Sequence, residues 1–175
     1  MNIYLILLAL CTALSAAVTD LRSRKIPNWL TYSGIMLALG LRMSVQGWSG
    51  LKEGLAGILL AGGLFFVMFL LGGMGGGDVK LMATMGAAAG PQAVMPLIIA
   101  AALAGGLLSL TLVIYTRHIR QTLRNIWTIL RHHLGYGLRP HPALNVGTPS
   151  NIRVPFGVAV AMGTLYCVSS AVWWR

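Results

Sequence analysis

Apolar residues in this chain gather into long runs rather than alternating singly with polar ones. Six runs stand out, at 3–18, 29–45, 51–71, 79–89, 93–115 and 154–173. A helix needs roughly 20 apolar residues to cross a hydrocarbon core about 30 Å thick. The pattern therefore predicts an all-α, polytopic integral membrane protein of six transmembrane helices, forming one domain over 1–175 with no internal repeat. Polar or glycine-rich stretches at 20–28, 46–50, 72–78, 90–92 and 116–153 separate the runs. The fourth run is short. It rises only about 17 Å before Gly90-Pro91 interrupts it, which would set Asp78 below the headgroup level.

The stretch 116–153 holds one more periodic element. Ile119, Leu123, Ile126, Trp127, Leu130 and Leu134 recur at helical spacing, while Arg117, Arg120, Arg124, Arg131 and His132 fall mostly off that stripe. A basic amphipathic helix over 117–134 is expected, lying on the cytoplasmic leaflet as a surface anchor rather than a substrate dock. The Gly/Pro-rich stretch 135–150 after it reads as irregular.

Composition closes off soluble classes: 57% of the residues are hydrophobic and 9% charged, against about 25% charged in soluble domains. The net charge of +10 does not point to nucleic acid, because the basic residues sit in loops between apolar runs. With the N-terminus outside, Arg22, Arg24, Lys25, Lys80, Arg117, Arg120, Arg124, Arg131, Arg139 and Arg153 are cytoplasmic. Only Arg42, Lys52 and Arg175 are external. That bias sets the orientation, suits contact with anionic lipid, and places Trp173-Trp174 at the outer interface. The first run has small residues at Ser15-Ala16-Ala17 but no basic segment before it, so it reads as a membrane helix and not as a cleaved leader.

Candidate chemistry is sparse. Cys11 and Cys167 lie inside apolar runs and read as small buried hydrophobes. His118, His132, His133 and His141 lack a ligand pattern with nearby carboxylates, so no metal site is expected. Three acids remain: Asp20, Glu53 and Asp78. Acids at membrane segments are costly and tend to be functional. Asp20 ends the first, inward-running helix and Asp78 opens the fourth, outward-running one, so both face the cytoplasm. Taken singly, Asp78 reads equally well as a helix N-cap, and Asp20 as a partner for Arg22, Arg24 or Lys25. Taken together they suit a pair. Five glycines within 72–77 allow another chain to approach the backbone closely beside Asp78. Two adjacent carboxylates share one proton; one then activates water and the other hydrogen-bonds an amide carbonyl.

Three motifs then carry a resemblance. Gly75-Gly76-Gly77-Asp78 is followed by Lys80, Asp20 is followed by Arg24-Lys25-Ile26-Pro27-Asn28, and Val154-Pro155-Phe156-Gly157 opens the last run. In this order they resemble the type IV prepilin peptidases, membrane aspartic peptidases with a Gly-x-Gly-Asp motif. The resemblance implies Asp20 and Asp78 as catalytic residues. It implies Gly75, Gly77, Lys80, Pro27, Asn28, Pro155, Phe156 and Gly157 as supporting or substrate-binding ones, with no cofactor. Pro27 and Pro155 read equally as helix-opening prolines, Asn28 as a helix cap, and Lys80 as a lysine reaching for headgroups. The larger family members carry Cys-x-x-Cys pairs between the first two helices and N-methylate their product. Residues 21–28 alone fill that gap here, so the chain resembles the short Flp/Tad-pilus type, without methyltransferase activity. The implied substrate is a prepilin or pseudopilin cut after the Gly of a basic leader, at the bacterial inner membrane and beside the pilus-assembly machinery. The competing readings are a small proton-coupled transporter or channel component using the Asp pair as a relay, and a non-catalytic assembly factor.

Overall fold

The computed structural model of the chain describes residues 2–117, 119–136, 154–170 and 173. These form α1 (Ile3–Ser23), α2 (Asn28–Leu70), α3 (Gly76–Tyr115), α4 (Ile119–Tyr136) and α5 (Phe156–Ser169), with no strand among the described residues. By length and composition α1, α2 and α3 can each cross a membrane, and α5 is a shorter apolar helix. Residues 137–153, which include His141 and most of the expected irregular stretch, lie outside the described residues, as do His118 and the side chain of His133.

α2 and α3 are each built of two arms. A straight helix of 43 residues would be about 64 Å long, twice a hydrocarbon core of about 30 Å. Gly47 (φ 64°, ψ −147°) breaks α2 and Gly90 (φ 77°, ψ 172°) breaks α3. These positive φ values suit glycine and strain other residues, and Pro91, lacking an amide hydrogen, follows the second. The chain turns back at both points. A Cβ built on Gly54 would stand 2.7 Å from Leu39 Cδ2, whereas a straight helix would hold these residues about 22 Å apart. Asp78 and Leu112 line one cavity although a straight α3 would separate them by about 50 Å. Both reversals fall in the predicted breaks, 46–50 and 90–92.

The first arm of α3 is the centre of the fold. Leu81, Met82 and every residue from Thr84 to Gly90 are buried. Helices gain little from the hydrophobic effect against each other in lipid, so close packing of small residues replaces it. Gly57 and Gly86 bring the α2 and α3 backbones together so tightly that a Cβ on either would overlap the other's carbonyl. Gly34 does the same against Thr84, whose hydroxyl donates to the carbonyls of Thr31 (3.1 Å) and Lys80 (2.8 Å). α1 packs on α5 and α3 through Leu5, Ile6, Ala9, Thr12, Ala13, Ala16, Ala17 and Asp20, a three-to-four-residue spacing that makes one helical face.

One sequence expectation is corrected by the first helix. α1 does not stop with its apolar run at residue 18 but continues to Ser23, where Arg24 (φ 50°) caps it. Backbone hydrogen bonding does not need apolar side chains, so Asp20 lies within the helix rather than at its end. Trp173, expected at the outer interface, is buried, and its indole N–H donates to Ala93 O at 2.9 Å, beside the break at 90–92.

Arg42, expected on the outer side at the end of the second apolar run, is also buried. Its Nε donates to Ala87 O (2.9 Å) and Nη2 to Ala88 O (3.1 Å). Nη1 reaches Gln46 Oε1 (3.2 Å) and Glu53 Oε2 (2.9 Å). The carbonyls are among those a helix leaves open at its C-terminal end, here where α3 breaks at Gly90.

Candidate active site

At the opposite end of the same arm, the chain brings Asp20 and Asp78 to one cavity of about 1280 Å³. Residues 24–27 join α1 to α2, so the last turns of α1 lie close to the start of α2. The glycine-rich turn between α2 and α3 then delivers Asp78 to the same end. Gly72 has φ 73°, and the turn is closed by Gly73 N donating to Met68 O at 3.0 Å.

Asp20 is buried and accepts a 2.7 Å hydrogen bond on Oδ2 from Gly157 N. That amide belongs to the first turn of α5, one of the donors a helix cannot satisfy internally. Gly157 is the residue that permits this approach. A Cβ there would stand 2.9 Å from Ala16 O and 3.1 Å from Asp20 Cβ. Pro155 caps α5 and orients its first turn, while Phe156 packs on Phe65 with ring centroids 5.5 Å apart. No salt bridge ties Asp20 to Arg22, Arg24 or Lys25 among the described residues.

Asp78 occupies the third position of α3 and accepts from the backbone N–H of Gly75, the N-cap, at 3.2 Å. The capping interpretation thus holds in part: the carboxylate caps from within the first turn, not from the N-cap position. Each aspartate uses one oxygen in a single hydrogen bond to a glycine amide. The second oxygen of each has no hydrogen-bond partner among the described residues. The two carboxylates lie near enough for their charges to interact.

The supporting residues separate into two groups. Gly75, Gly77, Pro155 and Phe156 line the cavity, and Gly157 holds Asp20. Lys80, Asn28 and Pro27 do not line it. Lys80 Nζ donates to Asn28 Oδ1 at 2.9 Å and sits 5.2 Å from the centre of the Tyr32 ring, so these residues tie α2 to α3 beside the cavity.

Sequence reasoning missed one wall. Gln121, Asn125, Ile126 and Ile129 of α4 line the cavity together with Asp20 and Asp78. The basic side chains of α4, Arg120, Arg124 and Arg131, are exposed and turned elsewhere. The periodicity of 117–134 showed its apolar stripe and its basic face, and the uncharged edge between them was the overlooked signal. No cluster of three or more metal-ligating side chains occurs among the described residues.

Paired acids beside a glycine-opened backbone, in a cavity that can admit an extended segment, provide what water-mediated amide hydrolysis needs. No curated protein and no solved structure matches the chain. A family model described as type IV leader peptidase matches residues 6–110, a stretch that takes in both aspartates and the arm between Asp78 and Gly90. With more than half its length covered by that match, the chain belongs to the type IV leader peptidase family.

Proposed function

We propose that this chain is an aspartic endopeptidase that removes the basic leader from Flp-type prepilins or pseudopilins at the cytoplasmic face of the bacterial inner membrane. The observation that carries this reading is the pairing of Asp20 and Asp78 in one cavity, each with one oxygen engaged and one open. In the proposed topology the two arms of α2 and of α3 each cross the membrane, giving six passes with the N-terminus outside. The short 24–27 connection supports the small, non-methylating type.

In the reaction, the ionised carboxylate takes a proton from the attacking water as its oxygen bonds to the scissile carbonyl carbon. The protonated carboxylate hydrogen-bonds the carbonyl oxygen. Collapse of the tetrahedral adduct breaks the C–N bond, and a carboxyl proton passes to the leaving amine. The products are a leader with a new carboxyl terminus and a pilin with a new amino terminus. The Gly157 amide fixes Asp20, and the Gly75 amide fixes Asp78. A transmembrane proton relay is less well supported, since both acids open to one end of the α3 arm while Arg42 and its acceptors occupy the other.

The test is leader removal from a co-expressed Flp-type prepilin, read by gel shift, for wild type, Asp20→Asn and Asp78→Asn at matched membrane levels. Both substitutions are expected to abolish processing. Unchanged cleavage by either variant would return that residue to a capping or packing role. Processing should also fade in acid, as the singly protonated pair becomes doubly protonated. Full activity well below the ordinary carboxylate range would contradict a shared-proton mechanism.

A further inference from the structure

α4 has three faces. At about 100° per residue, Gln121, Asn125 and Ile129 fall within about 80° of one another, on the edge that lines the cavity. Leu123, Ile126 and Trp127 form an exposed apolar stripe beside that edge. Arg120, Arg124 and Arg131 complete the circle, with the Arg131 guanidinium 5.4 Å from the centre of the Trp127 ring. A helix made only to float on a membrane has no need of an uncharged polar edge turned toward two carboxylates.

The rest of the lining shows what that edge can supply. Much of the wall is apolar, including Leu64, Phe65, Met68, Ile98 and Leu112. An extended peptide entering such a space gives up water on its backbone N–H and C=O groups, at a cost unless they are paired again. Several polar groups of the wall are already engaged. Ser109 donates to Gly105 O, and the amides of Gly72, Gly73 and Gly75 are bonded to Phe69 O, Met68 O and Asp78. Arg24 and Lys25 only donate. The carboxamides of Gln121 and Asn125 each offer a donor and an acceptor, and neither has a hydrogen-bond partner among the described residues.

Their spacing matches a strand. Helix positions i and i+4 are about 6 Å apart. In an extended chain the peptide groups facing one side recur every second residue, about 6.7 Å. We infer that Gln121 and Asn125 are substrate-binding residues that pair with two successive same-side peptide groups of the precursor. They hold its scissile segment extended across Asp20 and Asp78 and read its backbone, not its side chains. Recognition by backbone gives α4 a role distinct from lipid contact. This inference rests on the peptidase reading above.

The test separates binding from cleavage. A fluorescent synthetic peptide spanning the leader and the first residues of the pilin helix is titrated into Asp78→Asn protein in lipid nanodiscs. The titration is repeated with Gln121→Ala and Asn125→Ala added singly and together. Each lost hydrogen bond should weaken Kd about fivefold, and both about twenty-five-fold. N-methylating the two facing backbone amides of the peptide should weaken binding to Asp78→Asn protein by a similar factor, yet change little once both carboxamides are gone. In the enzyme with both aspartates, the double variant should raise KM and leave kcat within about threefold. Unchanged Kd in the double variant, or an equal N-methyl penalty in both backgrounds, would overturn the inference even if wild type cleaves the peptide. No binding to the Asp78→Asn parent, with no cleavage by wild type, would overturn the peptidase reading and this inference with it.

Discussion

The first arm of α3 carries a charged cluster at each end, and the two are built in opposite ways. At the Gly90 end, Arg42 is 2% exposed and every part of its guanidinium meets an acceptor: two carbonyls, a carboxamide and the Glu53 carboxylate. At the other end, Asp20 is 7% exposed and Asp78 half-buried, and each accepts a single hydrogen bond. Burying a charge without partners is expensive, so the first end is what stability alone would select. The second keeps two like-charged groups near one another beside an open cavity, which stability alone would remove. In the proposed reading one end of the arm is a lock and the other is the site.

That contrast predicts opposite signatures for substitution. Asp78→Asn removes a carboxylate from a like-charged pair and retains the shape of the side chain. Processing should fall by at least about a thousandfold, while thermal stability in detergent stays the same or rises, since active-site charges are held at a cost to the fold. Arg42→Met leaves Ala87 O, Ala88 O and Glu53 without their donor. Glu53 is half-exposed and returns to water, but the two carbonyls stay unpaired. The protein should therefore be destabilised by about 2–4 kcal/mol, with the activity of the surviving folded fraction much less affected. A stable Arg42→Met, or an Asp78→Asn that unfolds, would reverse the assignment of lock and site.

How far the sequence showed this contrast depended on which forces it records. Hydropathy placed the helical runs and both reversals, because Gly47 and Gly90-Pro91 interrupt apolar segments and suit a break. It set the end of α1 too early, at residue 18, since hydropathy reports contact with lipid while the helix is held by backbone hydrogen bonds through Asp20 to Ser23. The meeting of Asp20 and Asp78 at one end followed from alternating helix direction. The Gly157 amide on Asp20 did not, because the two residues are 137 positions apart and only packing joins them. Arg42 looked like an external charge, although a lone arginine near the end of an apolar run, with Glu53 just past the turn, was a legible sign of a buried pair. The wall formed by α4 was hidden because its uncharged edge is weaker than its apolar and basic faces.

Gly157→Ala sharpens the comparison by moving one partner of the site without touching its charge. The new methyl would stand 2.9 Å from Ala16 O and 3.1 Å from Asp20 Cβ, and the carbonyl belongs to a helix that cannot easily yield. α5 must therefore shift away from α1, stretching the 2.7 Å bond that fixes Asp20. With Asp20 in the proposed catalytic role, a displacement approaching about 1 Å costs about a hundredfold in rate. The loss should appear in kcat, with processing restored more fully by raising enzyme levels than by raising precursor levels. Activity near that of wild type would mean that the Gly157 amide does not position Asp20.

The smallest effect is expected at Lys80, the charge nearest Asp78 in sequence and yet outside the cavity in space. Its ammonium donates to Asn28 and lies over the Tyr32 ring, outside the residues that line the cavity. In Lys80→Met the aliphatic stem still packs along α2, while one exposed hydrogen bond and one exposed cation–π contact are lost. Each is worth up to about 1 kcal/mol at a solvated position. Stability should fall by about 1 kcal/mol, and cleavage by folded enzyme should stay within about threefold of wild type. A drop as large as that of Gly157→Ala, with stability unchanged, would mean that the lysine acts on the carboxylates despite its placement. The boundary between the site and its scaffold would then have to be moved one helical turn along α3.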